Sequence, residues 1–112
     1  MQFVNTTYQK EFDKNGYILL NLLDSIDIQK LNELYNNFSI ERVADFQVSN
    51  YEKNSVKNHS INEGIKKIIS DKISIFFTDY RMLSAFFYIK YTGKESSFYL
   101  HKDWNVVDES KH

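Results

Sequence analysis

The apolar positions at the start of the chain predict a short helix and then a strand. Tyr8 and Phe12 lie four residues apart among polar residues, a spacing that places them on one face of a helix over residues 6–15. Gly16 follows directly, and glycine is the residue that most readily ends a helix in the left-handed conformation. The continuous apolar run over residues 17–20 is typical of a strand.

Two longer helices are predicted from stripes of apolar residues three and four positions apart. The first is expected to begin at Asp24 or Ser25, either of which is a good N-cap residue. The second is expected to begin at Ser60, because Glu63 completes a capping-box pattern, with a possible break near Asp71. The stripes consist of Ile28, Leu31, Leu34, Tyr35 and Phe38 in the first helix, and of Ile61, Ile65, Ile68, Ile69, Ile73 and Phe76 in the second.

Between and after these helices the pattern changes to loops and strands. Residues 42–58 have no sustained period and are rich in polar residues, which predicts an exposed connection with a short strand near Phe46. Residues 82–91 are rich in aromatic and branched side chains and predict a strand, closed by turn residues at 92–94. Residues 97–100 are expected to form its hairpin partner and to end at His101.

Composition indicates one folded domain over residues 1–112. The chain is 42% apolar and 16% aromatic, values typical of a globular protein rather than of a disordered segment. Its formal net charge is -1 with both signs interspersed, which disfavours nucleic acid and anionic membranes as partners. Neither a signal peptide nor an apolar stretch of membrane-spanning length is recognisable, so we expect a cytoplasmic protein.

The candidate chemistry lies in the pair His101 and Asp103. The chain has no cysteine, so histidines and carboxylates are the strong metal ligands that remain. In an extended backbone, residues two apart point to the same face, and an imidazole with a carboxylate supplies two corners of the 2-His-1-carboxylate triad that holds Fe(II). The alternative is that His101 is a hydrogen-bonded surface histidine and that Asp103 begins a turn. The short pattern alone does not separate these two interpretations.

The wider sequence resembles the phytanoyl-CoA dioxygenase family of Fe(II)/2-oxoglutarate-dependent oxygenases. The resemblance spans most of the chain, in the order of a front helix and strand, a second helix, an aromatic strand and then the metal motif. The positions that carry it are Phe12, Gly16, Tyr17, Leu31, Lys90, His101, Asp103, Trp104, Asp108 and Glu109.

The resemblance implies an α+β fold: the N-terminal part of a double-stranded β-helix, or jelly roll, with two main helices packed on a few antiparallel strands. Such a sheet sandwich needs eight strands, and the sequence offers three or four, so we expect an incomplete domain, the N-terminal half. The family's third iron ligand, a histidine, and its 2-oxoglutarate-binding arginine have no counterpart here. His112 is not expected to replace that histidine, because it follows Asp103 too closely.

By the same resemblance, His101 and Asp103 are the first two iron ligands, 2-oxoglutarate is the co-substrate, and a small molecule is hydroxylated. Alternation places Phe86, Tyr88 and Lys90 on one face of their strand. Tyr88 or Lys90 is therefore a candidate donor to a carboxylate of 2-oxoglutarate. The alternative is that Phe86 and Tyr88 pack in the core and that Lys90 lies at a solvated rim.

Two further interpretations of the chain remain open. One is a catalytically inactive, oxygenase-like module that associates with itself or with a partner chain through exposed apolar surface. The other is a small structural zinc site built on His101, Asp103, His112 and a further carboxylate. Trp104 either forms a wall of the metal site or anchors a loop in the core. Asp108 and Glu109 either orient the ligands or lie in a solvated loop, and His59 is expected to be exposed.

Overall fold

The computed structural model describes residues 2–92, and this part of the chain is an α+β unit. Within it lie three α-helices, a short 3-10 helix and two antiparallel sheets of two strands each. No described helix is both long enough and apolar enough to cross a membrane. The elements are β1 (Gln2–Phe3), α1 (Thr6–Asn15), α2 (Ser25–Asn37), β2 (Phe46–Val48), the 3-10 helix (Ser49–Tyr51), α3 (Ser55–Phe76), β3 (Phe77–Thr78) and β4 (Tyr88–Lys90).

Helix α1 confirms the first prediction at both ends. The side chain of Asn5 accepts hydrogen bonds from the first backbone N–H groups of the helix, and Gly16 ends the helix with a φ of 77°. The strand predicted for residues 17–20 is wrong, because this segment has no regular secondary structure. Tyr17 is 64% and Leu19 89% exposed, and no strand of residues 2–92 lies beside them, so an apolar run alone did not make a strand.

Helix α2 begins where the sequence predicts it. Asp24 is the N-cap, and it forms a reciprocal capping box with Asp27: each carboxylate accepts from the other residue's backbone N–H, at 2.9 and 3.0 Å. Lys72 of α3 lies 3.4 Å from both carboxylates. The predicted stripe is half-buried apart from Ile28, which is 47% exposed. The start of α2 is therefore joined by ion pairs to the C-terminal part of α3.

Helix α3 begins earlier than predicted. Asn54 caps it by accepting from the backbone N–H of Lys57, so Ser60 lies inside the helix and the capping box proposed there is wrong. The predicted break near Asp71 is also absent, since the helix continues to Phe76. The predicted stripe does face the interior, and Ile61 is fully buried with Ile65 nearly so.

The two long helices pack closely against each other. A Cβ atom added at Gly64 would lie 2.8 Å from Leu34 Cδ1. This distance is too short for two carbon atoms in contact, so the Leu34 side chain or one of the helices would have to move. Glycine at this position therefore lets α2 approach the backbone of α3. The buried apolar residues of the described chain are Ile61 and Ile65 on α3 and Ile89 on β4.

Each sheet pairs segments that are distant in sequence. Strand β1 pairs with β3, and Phe3 packs on Phe77 with ring centroids 4.7 Å apart. Strand β2 pairs with β4, with Phe46 opposite Lys90, Gln47 opposite Ile89 and Val48 opposite Tyr88. The short strand expected near Phe46 is thus confirmed.

The strand predicted for residues 82–91 is shorter than expected, because only Tyr88–Lys90 is a strand. The residues just before β4 form backbone hydrogen bonds with side chains of α3. The side chain of Asn62 accepts from the backbone N–H of Ala85 at 3.0 Å, and the ammonium of Lys66 donates to the carbonyl of Leu83 at 3.3 Å. Residues 83–85 therefore bind a helix surface instead of a neighbouring strand.

The link between Asp24 and Lys72 predicts a pH dependence of stability. The hydrogen bond from the backbone N–H of Asp27, with Lys72 nearby, holds the pKa of Asp24 below its ordinary value of 3.8. A group whose pKa is lowered by folding stabilises the fold above its unfolded pKa, and this contribution is lost as the pH falls through the folded value. Asp24→Asn keeps a good cap but loses the charge.

We therefore expect Asp24→Asn to lower the melting temperature at neutral pH, and this difference from the unsubstituted chain to shrink as the pH falls below the ordinary Asp24 pKa of 3.8. Thermal unfolding followed by circular dichroism over a pH series measures it. A difference that stays constant down to pH values well below that point contradicts a role for the charge.

Candidate binding face on the β2–β4 sheet

The hydrogen bonds between β2 and β4 decide which side chains face the interior. The backbone N–H of Ser49 donates to the carbonyl of Phe87 at 2.9 Å, and the backbone N–H of Tyr91 donates to the carbonyl of Asp45 at 2.6 Å. In an antiparallel ladder, hydrogen-bonded residue pairs alternate with pairs that are not hydrogen-bonded, and these two pairs are of the first kind. Because side chains alternate too, successive residues of β4 point to opposite faces.

The inner face of the sheet is buried and fully hydrogen-bonded. Gln47 and Ser49 are each 2% exposed, and Ile89 is 8% exposed. The Oε1 of Gln47 accepts from the backbone N–H groups of Val43 and Ala44, at 2.8 and 3.1 Å, and its Nε2 donates to the carbonyl of Glu41. One buried amide therefore holds the loop before β2 in place.

Beside this amide, the sheet is attached to α2 through aromatic rings. Phe87 meets Tyr35 edge to face, with centroids 5.5 Å apart, and the Ser49 hydroxyl accepts from the backbone N–H of Phe87 at 2.8 Å. A hydrogen bond with Tyr91, together with partial burial, raises the pKa of Tyr35 above its ordinary value. The guanidinium of Arg42 lies 4.3 Å above the ring of Tyr91 and pairs with Asp45.

The opposite face of the sheet is open to solvent and carries aromatic and cationic groups. Tyr88 is 61% exposed, and its ring lies 5.8 Å from that of Phe46 and 5.2 Å from that of Phe86. Lys90, one position along the same face, is exposed as well. We call this surface the outer sheet face; it consists of Phe46, Val48, Phe86, Tyr88 and Lys90.

Of the four site residues predicted from sequence, the structure describes two. Tyr88 and Lys90 lie together on the outer sheet face, as alternation predicted, and Tyr88 is not packed in the core. His101 and Asp103 lie outside the described residues, as do Trp104, Asp108, Glu109 and His112. The predicted partner strand over residues 97–100 lies outside them too.

Residues 2–92 contain no cluster of three histidine or acidic side chains able to hold a metal ion. His59 is exposed on α3, as predicted, and borders a polar cleft together with Asn50, Asn58, Asn62 and Glu63. Asn62 donates to both Asn50 and Asn58, so the amides of this cleft bind one another. We interpret the cleft as structural, since these bonds join the 3-10 helix to α3.

Sequence reasoning missed the contribution of Phe46 to this face. A strand near Phe46 was predicted, but its partner was not, because the 3-10 helix, α3 and β3 separate β2 from β4 in the sequence. The alternation of Phe46, Gln47 and Val48 indicates a strand, but on its own it would place the two apolar side chains in the interior, whereas the structure buries Gln47. No local pattern therefore marks Phe46 as part of this face.

Comparisons with known proteins add no relative: no protein-family model, no curated protein and no solved structure matches this chain.

The face assignment predicts opposite effects for neighbouring residues of β4. Ile89→Ala removes a buried side chain and is expected to destabilise the chain by about 2–4 kcal/mol. Lys90→Ala removes an exposed one, and we expect a change within about 0.5 kcal/mol. Urea unfolding measures both free energies of unfolding; equal losses for the two variants contradict the assignment.

Proposed function

We propose that this chain forms the N-terminal part of a non-haem Fe(II)/2-oxoglutarate-dependent dioxygenase that hydroxylates a small molecule, with His101 and Asp103 as two iron ligands. The observation that supports it best is the outer sheet face. An exposed phenol and an exposed ammonium lie side by side on a strand that leads, through a short stretch of sequence, to the His-x-Asp motif. In this proposal the β2–β4 sheet belongs to a jelly roll in a cytoplasmic enzyme.

The donor chemistry of the motif fits the metal. A neutral imidazole and a carboxylate suit Fe(II), and the cysteine-free chain offers no softer thiolate ligand that would select another metal. When bound, the iron supplies activation of oxygen, and 2-oxoglutarate supplies the electrons for it.

In this proposal the described part of the chain supplies side chains that bind 2-oxoglutarate and the substrate. Tyr88 has a hydroxyl and Lys90 an ammonium that are exposed, and both donate to carboxylates such as those of 2-oxoglutarate. Phe46 and Phe86 flank Tyr88 and offer apolar surface to a substrate. The face thus combines an anion-binding end with an aromatic end.

A second candidate function is a non-catalytic interaction module that binds another chain or itself. The observation that favours it is the number of apolar side chains exposed on the described chain. Leu19 is 89%, Val56 76% and Leu83 73% exposed, so the described chain has apolar side chains that a partner could cover. In that case the outer sheet face would bind protein, and iron would not bind.

Anaerobic titration with Fe(II) and 2-oxoglutarate separates the two candidates. We expect the visible charge-transfer band of a chelated iron complex, and we expect His101→Ala to abolish it, because an imidazole ligand is lost. His59→Ala is the matched control: it removes an exposed histidine of α3 and should leave the band unchanged. No band from a chain that circular dichroism shows to be folded favours the interaction module.

A further inference from the structure

Strand β2 ends at Val48, and the 3-10 helix begins at Ser49. The backbone N–H of Ser49 still donates to the carbonyl of Phe87, at 2.9 Å. In a regular antiparallel pair the carbonyl of Ser49 would accept from the N–H of Phe87 in return. This carbonyl instead accepts from the backbone N–H of Glu52, at 3.1 Å, within the 3-10 turn. The hydroxyl of Ser49 takes its place and accepts from the backbone N–H of Phe87 at 2.8 Å.

Side chains of α3 continue this edge beyond Phe87. The Oδ1 of Asn62 accepts from the backbone N–H of Ala85 at 3.0 Å, and the ammonium of Lys66 donates to the carbonyl of Leu83 at 3.3 Å. Residues 83, 85 and 87 are thus bound at every second position, the spacing with which an extended segment presents its backbone groups to one neighbour. Side chains therefore bind this segment where β2 no longer does.

The amide of Asn62 is held with its oxygen toward Ala85. Its Nδ2 donates to the side-chain oxygens of Asn50 and Asn58, at 3.0 and 2.8 Å. An amide turned by half a revolution would place its oxygen against those two oxygens and would offer Ala85 a donor in place of an acceptor. The contacts of the polar cleft therefore orient the acceptor of the Ala85 N–H.

We propose that Asn62 is a positioning residue of the outer sheet face, on which it acts through the backbone of Ala85. Ala85 directly precedes Phe86, whose ring lies 5.2 Å from that of Tyr88. Holding the N–H of Ala85 fixes the point at which the chain enters this face, so Phe86 stays beside Tyr88 and less order has to be gained on binding a ligand. The placement of Phe86 is independent of iron, whereas its benefit to 2-oxoglutarate binding rests on the proposed function.

The variants Asn62→Ala and Asn62→Asp separate this role from a general effect on stability. Both lose the Nδ2 donor, but the carboxylate introduced by Asn62→Asp can still accept from the Ala85 N–H. Alanine is the better helix former, so helix propensity alone favours Asn62→Ala. We expect amide hydrogen exchange of Ala85 to be about tenfold or more faster in Asn62→Ala than in Asn62→Asp, because only the first variant leaves this N–H without its acceptor.

Asn58→Ala is the matched control, because it removes an asparagine one turn earlier on the same face of α3. It breaks contacts of the polar cleft and leaves the Oδ1 of Asn62 in place. Exchange of Ala85 should then remain within about threefold of the rate in the unsubstituted chain. In Asn62→Ala the nuclear Overhauser effects between the rings of Phe86 and Tyr88 should weaken as well.

Exchange of Ala85 that is no faster in Asn62→Ala than in the other two variants overturns the inference, and so do ring contacts that Asn62→Ala leaves at full strength. Neither readout uses iron, so its failure is distinct from failure of the proposed function. In the anaerobic titration, we expect Asn62→Ala to bind 2-oxoglutarate about threefold or more weakly than Asn62→Asp does. Equal affinities of these two variants overturn the part of the inference that concerns binding.

Discussion

The antiparallel pairing of β2 with β4 is the interaction on which the candidate site depends. It joins two segments separated by the whole of α3, and it fixes the side on which every residue of β4 projects. Because Ile89 must be buried, Tyr88 and Lys90 must be exposed. The outer sheet face is thus a consequence of what the inner face buries.

Polar as well as apolar side chains determine which residues of the β2–β4 sheet face the interior. Gln47 is almost completely buried, yet its amide satisfies three backbone groups of the loop before β2. A shift of β2 by one residue would turn this amide to solvent and break these three hydrogen bonds, each of which contributes about 0.5–1.5 kcal/mol. The buried glutamine therefore reinforces the register that Ile89 sets from the other strand. Helix α3 supports the same arrangement by binding residues 83–85 through Asn62 and Lys66.

The local signals in the sequence predicted local structure well. Asn15-Gly16 and Asp24 marked helix ends because capping is an interaction between near neighbours. The start of α3 was misplaced because two capping signals compete, and Asn54 binds Lys57 while the Ser60 pattern stays within the helix. The strand at residues 17–20 failed for a different reason: a strand needs a partner, and apolar composition does not supply one.

The candidate site was predicted only in part for the same reason. Alternation along one strand placed Tyr88 and Lys90 on one face, and the structure agrees. The contribution of Phe46 depends on pairing across a long helix, which no local pattern encodes. The metal pair His101 and Asp103, outside the described residues, remains a prediction from sequence.

Contacts between α-protons of β2 and β4, measured by nuclear Overhauser effects, test the central claim most directly. Non-hydrogen-bonded pairs bring their α-carbons closest together, to about 4.5 Å, so strong contacts are expected from Phe46 to Lys90 and from Val48 to Tyr88. Contacts from Phe46 to Ile89 and from Val48 to Phe87 would show a register shifted by one residue. That result would turn Tyr88 and Lys90 inward and contradict the outer sheet face.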